Sequence, residues 1–293
     1  MQVNGIEILE KQPIAPYAYT QAGGEADYLA IPKNLAELKE LLAWAKDKQL
    51  DLHVFGRLSN LVVRDGGLRG LVLILSELKE VQKVDEQTIR AQAGADLIWV
   101  ANQALKYELS GLEWGAGIPG TVGGAVFMNA GAYGGQTDMV VSAVEALTKD
   151  GQLRHFDRDE LGFGYRQSVF QENGTVIVSA DFTLQASNHQ AIQELMDENN
   201  YRRASKQPLN YPSNGSVFKR PVGHFAGKLI MDADLQGHRE GGVEVSRKHA
   251  GFMVNIDHGT GNDYEDLIHD VQKRVKELND IDLETEVRII GER

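Results

Sequence analysis

An uncharged, glycine-rich segment is the part of the sequence best suited to binding an anion. Nine glycines lie within residues 111–135, in GLEWGAGIPGTVGGAVFMNAGAYGG, and residues 114–137 contain no charged side chain. Successive glycine N–H groups can form a concave nest for a pyrophosphate. A second segment, FGRLSNLVVRDGG at 55–67, adds the short polar side chains of Ser59 and Asn60. Together the segments predict a clamp for an extended nucleotide, although either alone is also explained by tight turns that bind nothing.

The motif GAGIPG at 115–120 matches the G-x-G-x-x-G pattern, with Asp138 at nearly the spacing of a ribose-binding acid. A dinucleotide-binding Rossmann fold needs an apolar strand running directly into this motif and a helix opening at its end. Here ELSGLEW precedes the motif, Pro119 lies inside it, and another glycine pair follows shortly after. We therefore interpret the segment as a long loop and predict that the fold is not a Rossmann fold.

Three further segments place reactive side chain types in unusual surroundings. GYRQSVF sets Arg166 among aromatic residues, YPSNGSVFKRP sets Ser216 beside two cations, and LETEVRII places Glu286 on the polar face of an alternating strand. Taken singly, each is better explained by an ordinary role, as a solvated arginine, a turn serine and a surface glutamate.

Several other chemistries are excluded by composition and spacing. The absence of cysteine removes thiolate nucleophiles, iron–sulfur clusters and cysteine-bound zinc. The eight histidines form no H-E-x-x-H motif or clustered pair, so no metal is predicted. GHFAGKL is one residue short of a phosphate-binding P-loop and lacks Ser or Thr after Lys228, and no G-x-S-x-G elbow exists.

The charge distribution limits the partners. A net charge of -12 opposes nonspecific binding to nucleic acid or to an anionic bilayer. Residues 219–248 nevertheless carry six Lys or Arg against four acidic residues. This local excess is explained either by a binding site for a small anionic ligand or by ordinary scatter of surface charge. Residues 1–13 do not resemble a secretory signal, and the uncharged segment has too many glycines for a membrane span. We expect a cytoplasmic protein that does not insert into a membrane.

Helical and alternating patterns predict an α+β fold. The length of 293 residues favours two domains, and the boundary is placed near the polar helix, giving 1–195 and 196–293. The helices are predicted over 35–49 with a capping box from Asn34 and Glu37, 97–109 capped by Asp96, 188–206 and 263–278. The strands are predicted over 52–56 and 71–75, both buried, and over 175–184, 249–256 and 283–290.

Seven segments, in order, resemble the UDP-N-acetylenolpyruvoylglucosamine reductase family in its shorter type. They are GRLSNLVVRDGG, GIPGTVGGAVFMNAGAYGG, FGYRQSVF, YPSNGSVFKRPVGHFAGKLI, LQG, VSRKHAGFMVN and LETEVRIIGE. The resemblance implies an FAD-binding domain of the vanillyl-alcohol-oxidase type over 1–195. A smaller α+β substrate-binding domain, carrying a catalytic Glu on its last strand, would occupy 196–293.

The resemblance also implies an activity. It is the FAD-dependent, NADPH-linked reduction of UDP-N-acetyl-3-O-(1-carboxyvinyl)-glucosamine to UDP-N-acetylmuramate in peptidoglycan synthesis, by a monomer. Two alternatives stay open: a flavin oxidase of the same superfamily with another substrate, and a flavin- or nucleotide-binding protein without turnover.

Site residues follow from the resemblance position by position. Arg166 and Glu286 would stabilise the enolate-like species, and Ser216 would donate a proton with the help of the Lys219 cation. The cofactor residues would be Gly56, Arg57, Leu58, Ser59, Asn60, Leu61, Ile118, Pro119, Gly120, Thr121, Gly123, Gly124, Asn129, Gly131 and Ala132. The substrate residues would be Tyr165, Lys219, Arg220 and Lys228.

Two positions depart from the family pattern. Leu58 stands where the family usually has Gly or Ala, and Asp234 stands where it has a small residue. Because Leu58 lies in a predicted cofactor loop, it is expected to narrow or shift the flavin pocket. Neither departure touches Arg166, Ser216 or Glu286.

Overall fold

The computed structural model describes residues 1–293, and the chain divides into two compact units. Unit 1 comprises Met1–Leu9, Leu29–Arg57 and Gly70–Arg203, and unit 2 comprises Glu10–Tyr28, Leu58–Arg69 and Ala204–Arg293. Both units are therefore assembled from several stretches of sequence. The predicted boundary between an FAD-binding domain (1–195) and a substrate-binding domain (196–293) stays a prediction.

Six helices and twenty-one strands confirm the α+β class. The helices are α1 (Leu35–Asp47), α2 (Leu97–Lys106), α3 (Val122–Met128), α4 (His189–Lys206), α5 (Ala226–Asp232) and α6 (Gly261–Asn279). The strands are β1 (Gln2–Val3), β2 (Ile6–Glu7), β3 (Leu9–Pro13), β4 (Glu25–Ala30), β5 (Leu52–Phe55), β6 (Leu61–Val63), β7 (Leu68–Ile74), β8 (Val81–Lys83), β9 (Thr88–Gln92), β10 (Leu109–Ser110), β11 (Gly131–Ala132), β12 (Gly135–Gln136), β13 (Val141–Leu147), β14 (Leu153–Asp157), β15 (Val176–Thr183), β16 (Gln185–Ala186), β17 (Ser213–Ser216), β18 (Arg239–Glu240), β19 (Val243–Val245), β20 (Phe252–Asn255) and β21 (Arg288–Ile290). No helix combines the length and the apolar run that crossing a membrane requires.

Unit 1 is built on a five-stranded antiparallel sheet in the order β14-β13-β15-β9-β8. Its central strand, β15, confirms the strand predicted over 175–184, and its residues 176–180 are all buried. The β-branched side chains that predicted the strand therefore also form part of the core. In the same unit, α1 begins where Asn34 Oδ1 accepts a hydrogen bond of 2.9 Å from Glu37 N, as predicted, while the Glu37 carboxylate accepts from Lys33 N and not from Asn34 N, so the predicted capping box is only half formed.

Unit 2 is built on a four-stranded antiparallel sheet in the order β17-β20-β19-β18. Helix α6 contributes one buried face to the core of this unit, and that face contains all but one of the apolar residues that predicted the helix, since Leu278 is exposed. A capping box fixes the start of α6, because Thr260 Oγ1 accepts from Asp263 N at 3.2 Å and Asp263 Oδ2 accepts from Thr260 N at 2.9 Å. The predicted helix over 263–278 is thus confirmed and extends two residues further towards its N-terminus.

Three predicted elements of unit 1 need correction. Helix α2 ends at Lys106 and not at Leu109, because Glu108 has a left-handed backbone (φ 57°) that no helix continues through. Strand β5 contains no buried residue, although a buried strand was predicted. It is the edge strand of its sheet, so it has a neighbouring strand on one side only and solvent reaches it from the other. The glycine-rich segment is not a loop throughout, because α3 opens after Gly120.

Two predicted strands of unit 2 are shorter than expected. Strand β20 begins at Phe252, because Phe252 N donates back to His249 O at 2.9 Å and closes a turn. In the segment 283–290 only Arg288–Ile290 form a strand, β21, which pairs in parallel with β6. The preceding residues bend, since Glu286 N and Val287 N both donate to Val217 O. Two successive amides pointing to one carbonyl are incompatible with a regular alternating strand, so Glu286 is not in mid-strand as predicted.

Candidate active site

The two glycine segments meet in unit 1 at Gly56 and Thr121. A Cβ atom on Gly56 would lie 2.1 Å from Thr121 Oγ1, so only glycine allows this approach. Leu97 N donates to Gly120 O at 2.9 Å, which attaches the start of α2 to the same place. The structure thus brings the two glycine segments together at Gly56 and Thr121, while their role as a clamp for a nucleotide stays a prediction.

Arg57 and Asp96 form a bidentate ion pair beside this contact. Arg57 Nε lies 2.5 Å and Nη2 lies 2.6 Å from the two Asp96 oxygens. Asp96 was predicted to cap α2 with its side chain, but it makes no such hydrogen bond and instead binds the guanidinium. The charge of Arg57 is therefore balanced within the protein.

Most amides of the glycine-rich segment already have protein acceptors. The N–H groups of Val122 and Gly123 donate to Ala95 O at 2.9 Å and Ala93 O at 2.8 Å, and Gly124 N donates to Thr121 Oγ1 at 3.4 Å. Ile118 N and Gly120 N donate within the segment, to Gly115 O and Ile118 O. The interpretation of an uncovered amide nest is therefore wrong for these five residues. The glycines serve close packing instead, as at Gly135, where a Cβ would lie 2.0 Å from Trp114 Cδ1.

Arg166 rests on the end of the glycine-rich segment. Its Nη1 and Nη2 donate to Asn129 O at 3.4 Å and to Gly131 O at 3.1 Å, and its Cζ lies 5.1 Å from the Tyr165 ring centroid. Asn129 is fully buried with a left-handed backbone (φ 43°), and its side-chain amide donates to Gly164 O at 2.9 Å. These bonds tie the predicted catalytic arginine to two predicted cofactor residues.

In unit 2, a backbone hydrogen bond brings Glu286 to the residue that follows Ser216. Ser216 is exposed at the end of β17, and the next residue, Val217, is buried and accepts from Glu286 N at 2.8 Å. Asn60 Nδ2 donates to Glu286 O at 3.1 Å, and Arg288 N donates to Asn60 O at 3.1 Å. The fold thus gathers three predicted site residues, Asn60, Ser216 and Glu286, that are separated by up to 226 positions.

The predicted substrate cations of unit 2 have different surroundings. Lys219 Nζ is paired with Glu284, while Lys228 is paired with Asp232 one turn along α5, at 2.8 Å. Arg220 Cζ lies 4.0 Å from the ring centroid of Phe225, an exposed aromatic residue. Lys219 and Lys228 therefore meet an anionic ligand only in competition with a carboxylate.

The remaining predicted cofactor residues fall in turns and short strands. Ser59 lies in a turn, Leu61 begins β6, Pro119 lies between a 3₁₀ turn and α3, and Ala132 pairs with Gly135 across β11 and β12.

Two family models match the chain. The model described as the C-terminal domain of UDP-N-acetylenolpyruvoylglucosamine reductase matches residues 207–290, and the model described as an FAD binding domain matches residues 26–157. A reductase of that name from Leuconostoc mesenteroides is 68% identical over 293 residues, covering 100% of both chains.

The chain belongs to the UDP-N-acetylenolpyruvoylglucosamine reductase family. A relative from Streptococcus pneumoniae is 52% identical over 290 residues, covering 99% of this chain and 96% of the relative. The crystal structure of the reductase from Thermus caldophilus has a TM-score of 0.83 at 31% identity, covering 98% of this chain and 99% of that one. Members of this family are enzymes, and the match confirms the predicted α+β flavoprotein fold with its FAD-binding domain.

The residues of unit 1 fit the FAD of this reductase family. FAD carries a diphosphate, and residues 114–137 contain no carboxylate that would repel such a group. Close packing of glycine backbone, as at Gly56, keeps side chains out of the region where the two segments meet. Beside Gly117 lies a buried guanidinium, that of Arg203, whose Nε has no hydrogen-bond partner. An anionic ligand suits such surroundings.

Both departures from the reductase family pattern have a left-handed backbone. Leu58 has φ 48° and is 3% exposed, while Asp234 has φ 56° and is exposed after the end of α5. Glycine adopts this conformation without steric cost, whereas Leu58 and Asp234 each carry a Cβ in it.

Sequence reasoning missed three buried polar residues. Asn199 and Arg203 lie on the buried face of α4 with Ile192 and Met196, at spacings of 4, 3 and 4 residues. This helical spacing is visible in the sequence and would have identified them. Asn214, two residues before Ser216, is 2% exposed with both side-chain polar atoms unpartnered, and no sequence pattern indicates it.

One cluster with metal-ligating side chain types forms only in the folded chain. Ligand atoms of His238, Glu240 and Asp270 lie within 4.8 Å of one another in unit 2. His238 Nε2 lies 2.6 Å from Asp270 Oδ2, to which Arg274 Nε also donates at 2.8 Å. These partners balance the charge of Asp270, and the cluster is explained as an ion-pair network.

Proposed function

We propose that the chain reduces the enolpyruvyl ether of UDP-N-acetylglucosamine to UDP-N-acetylmuramate, a step of peptidoglycan synthesis, with NADPH as the electron donor. The observation that carries the proposal is the match over the whole chain to a reductase of that name at 68% identity. We place the reaction in the cytoplasm and expect a monomer.

Arg166 and Glu286 are the proposed stabilisers of the substrate carboxylate. Bound FAD would supply the hydride that the terminal methylene carbon of the enolpyruvyl group receives, and NADPH would supply its electrons. Negative charge then develops at the α-carbon and the carboxylate, where a cation and a protonated carboxyl group lower its energy. The hydrogen bonds from Arg166 to Asn129 O and Gly131 O support this role, because they fix the guanidinium beforehand.

Ser216 is the proposed donor of the proton that the α-carbon receives. A serine hydroxyl is a weak acid, so a nearby cation must favour its ionised form. Lys219 lies three positions further along the same segment and is partly balanced by Glu284. Glycine precedes Ser216 with φ 76° and open space around its Cβ position, which leaves room for a substrate on this side.

The remaining cations are proposed to hold the diphosphates of the UDP-sugar and of NADPH. Arg220, stacked on exposed Phe225, and Lys228, on the exposed side of α5, are the candidates, with Tyr165 as a further contact beside Arg166.

The substitution Ser216→Ala separates the two halves of the reaction. Under anaerobic conditions NADPH is expected to bleach the flavin of both wild type and variant, because electron entry does not use the hydroxyl. The enolpyruvyl UDP-sugar is expected to restore the flavin absorbance in wild type quickly and in the variant at least about 100-fold more slowly. Ser187→Ala, at an exposed position of unit 1, is the control.

Two outcomes contradict the proposal. If the sugar does not reoxidise wild-type flavin, the substrate is wrong. If Ser216→Ala restores the absorbance as fast as Ser187→Ala, the role of Ser216 is wrong.

A further inference from the structure

Helix α4 buries a charged residue on an otherwise ordinary packed face. The buried residues of this helix are Ile192, Met196, Asn199 and Arg203. The helix is polar elsewhere, so the sequence had ample exposed positions for a cation. Arg203 is nevertheless 8% exposed, whereas its neighbour Arg202 is exposed and paired with Glu198.

Arg203 lacks the partners that normally accompany a buried cation. Its Nε has no hydrogen-bond acceptor, and no carboxylate lies within ion-pair distance of its guanidinium. Its charged group lies 5.3 Å from the ring centroid of Tyr133, and burial lowers its pKa. Since arginine stays protonated in proteins, the result is a largely buried positive charge with an unpartnered Nε and an aromatic face in place of a carboxylate.

The guanidinium of Arg203 lies beside two residues of the glycine-rich segment 111–135, Gly117 and Tyr133. A Cβ on Gly117 would lie 2.6 Å from Arg203 Nε and 2.6 Å from Asn200 Oδ1, so Gly117 leaves room for the two side chains. Tyr133 belongs to the turn between β11 and β12, two residues after Gly131, whose carbonyl accepts a hydrogen bond from Arg166. Arg203 and Arg166 thus both contact residues 129–135.

An anion would remove the energetic cost of this arrangement. FAD offers two anionic groups: its diphosphate, which is always charged, and the N1–C2=O edge of the flavin ring, which gains negative charge on reduction. We propose that Arg203 is a cofactor-contacting residue whose guanidinium pairs with an anionic group of FAD. This role concerns cofactor binding and does not depend on the substrate.

The test compares Arg203→Met with Arg202→Met, a change of the same chemistry at the adjacent exposed position. Apoprotein of each variant is titrated with FAD, and flavin fluorescence gives Kd. Arg203→Met is expected to weaken FAD binding by about tenfold to hundredfold, as loss of a charged hydrogen bond does, and Arg202→Met to change it less than about twofold.

Riboflavin titrations and the reduction potential of the bound flavin distinguish the two anionic groups. If Arg203 binds the diphosphate, riboflavin affinity and the potential stay at the control values. If it binds the ring edge, riboflavin affinity falls with that of FAD, and the potential becomes more negative. Either pattern supports cofactor contact.

Arg203→Lys keeps the proposal testable if Arg203→Met does not fold. Lysine retains the charge and the aliphatic stem but loses the planar fork, so we expect folded protein with FAD binding weakened severalfold. The proposal is overturned if the folded variants at position 203 match Arg202→Met in both FAD affinity and flavin potential.

Discussion

At the scale of single residues, the two departures from the family pattern share a backbone geometry and differ in burial. Leu58 and Asp234 both have left-handed backbones, which cost a residue with a Cβ about 1 kcal/mol relative to glycine. Leu58 is 3% exposed and contributes packing, whereas Asp234 is exposed and contributes none. Substitution by glycine should therefore have opposite effects at the two positions.

Asp234→Gly is expected to stabilise the protein by about 0.5–1 kcal/mol, because glycine relieves the backbone at the end of α5. Leu58→Gly is expected to destabilise it by about 1–3 kcal/mol, because losing a buried leucine outweighs the same relief. Urea unfolding of both variants and wild type measures the difference. Equal signs of the two changes would contradict the explanation by burial.

The glycines of residues 115–124 show that residue type alone can predict the wrong role. The glycines of residues 115–124 were interpreted as donors for an anion, but the N–H groups of Gly123 and Gly124 already donate to Ala93 O and Thr121 Oγ1. Glycine is compatible both with an open amide and with close packing, so composition alone does not distinguish them.

At the scale of elements, a buried ion pair joins the end of β6 to helix α6. Arg64 donates from Nε and Nη2 to the two oxygens of Glu265 at 2.7 and 2.6 Å, and from Nη1 to Gly291 O at 2.9 Å. The hydrogen bonds from Arg64 hold the pKa of Glu265 below its ordinary value of 4.5. The carboxylate is 5% exposed, so removing its charge leaves Arg64 poorly compensated.

Because Arg64 is partly exposed, Glu265→Gln is expected to destabilise the protein by about 1–3 kcal/mol at pH 7. Because the folded-state pKa is lowered, the stabilisation by Glu265 is fully present above pH 4.5 and is lost as the pH falls through the folded value. The difference between wild type and variant should therefore shrink below pH 4.5. Urea unfolding at several pH values measures it, with Glu277→Gln, exposed on the same helix, as control. A difference that does not change with pH would mean that the ion pair is not its source.

At the scale of the whole molecule, FAD binding should appear as thermal stability. A ligand that binds only the folded state adds about 2.7 kcal/mol at 100 times its Kd. For a chain of 293 residues, that corresponds to a rise in Tm of roughly 4 °C. Thermal unfolding of apoprotein with and without added FAD measures the shift, and riboflavin at the same concentration is the control. A Tm that does not respond to FAD would contradict folded-state binding.

The division of the chain into units is also a property of the whole molecule. Unit 2 includes residues 10–28 and 58–69 as well as the C-terminal part of the chain. Strand β21 pairs with β6, more than 200 residues earlier. A pairing at that separation leaves no periodic signal, so the sequence suggested a single cut near the polar helix.

Features that depend on near neighbours were determined by the sequence itself. Helices α1 and α6 follow from apolar spacing and their caps, and each predicted range lies within about two residues of the observed one. Strand β15 follows from its run of β-branched residues. The order of seven motifs was sufficient to indicate the family and its FAD-binding domain.

Features that depend on distant partners were decided by the tertiary structure. The bend at Glu286 exists because Val217 O receives two amides, and Gly56 is required because Thr121 approaches it. Arg203 is buried because α4 turns that face towards Gly117 and Tyr133. Helical spacing could have placed Arg203 on the inner face, but only the fold shows that it lacks a counter-ion there. Burial and pairing depend on residues far apart in the sequence, and their energies exist only once the chain has brought those residues together.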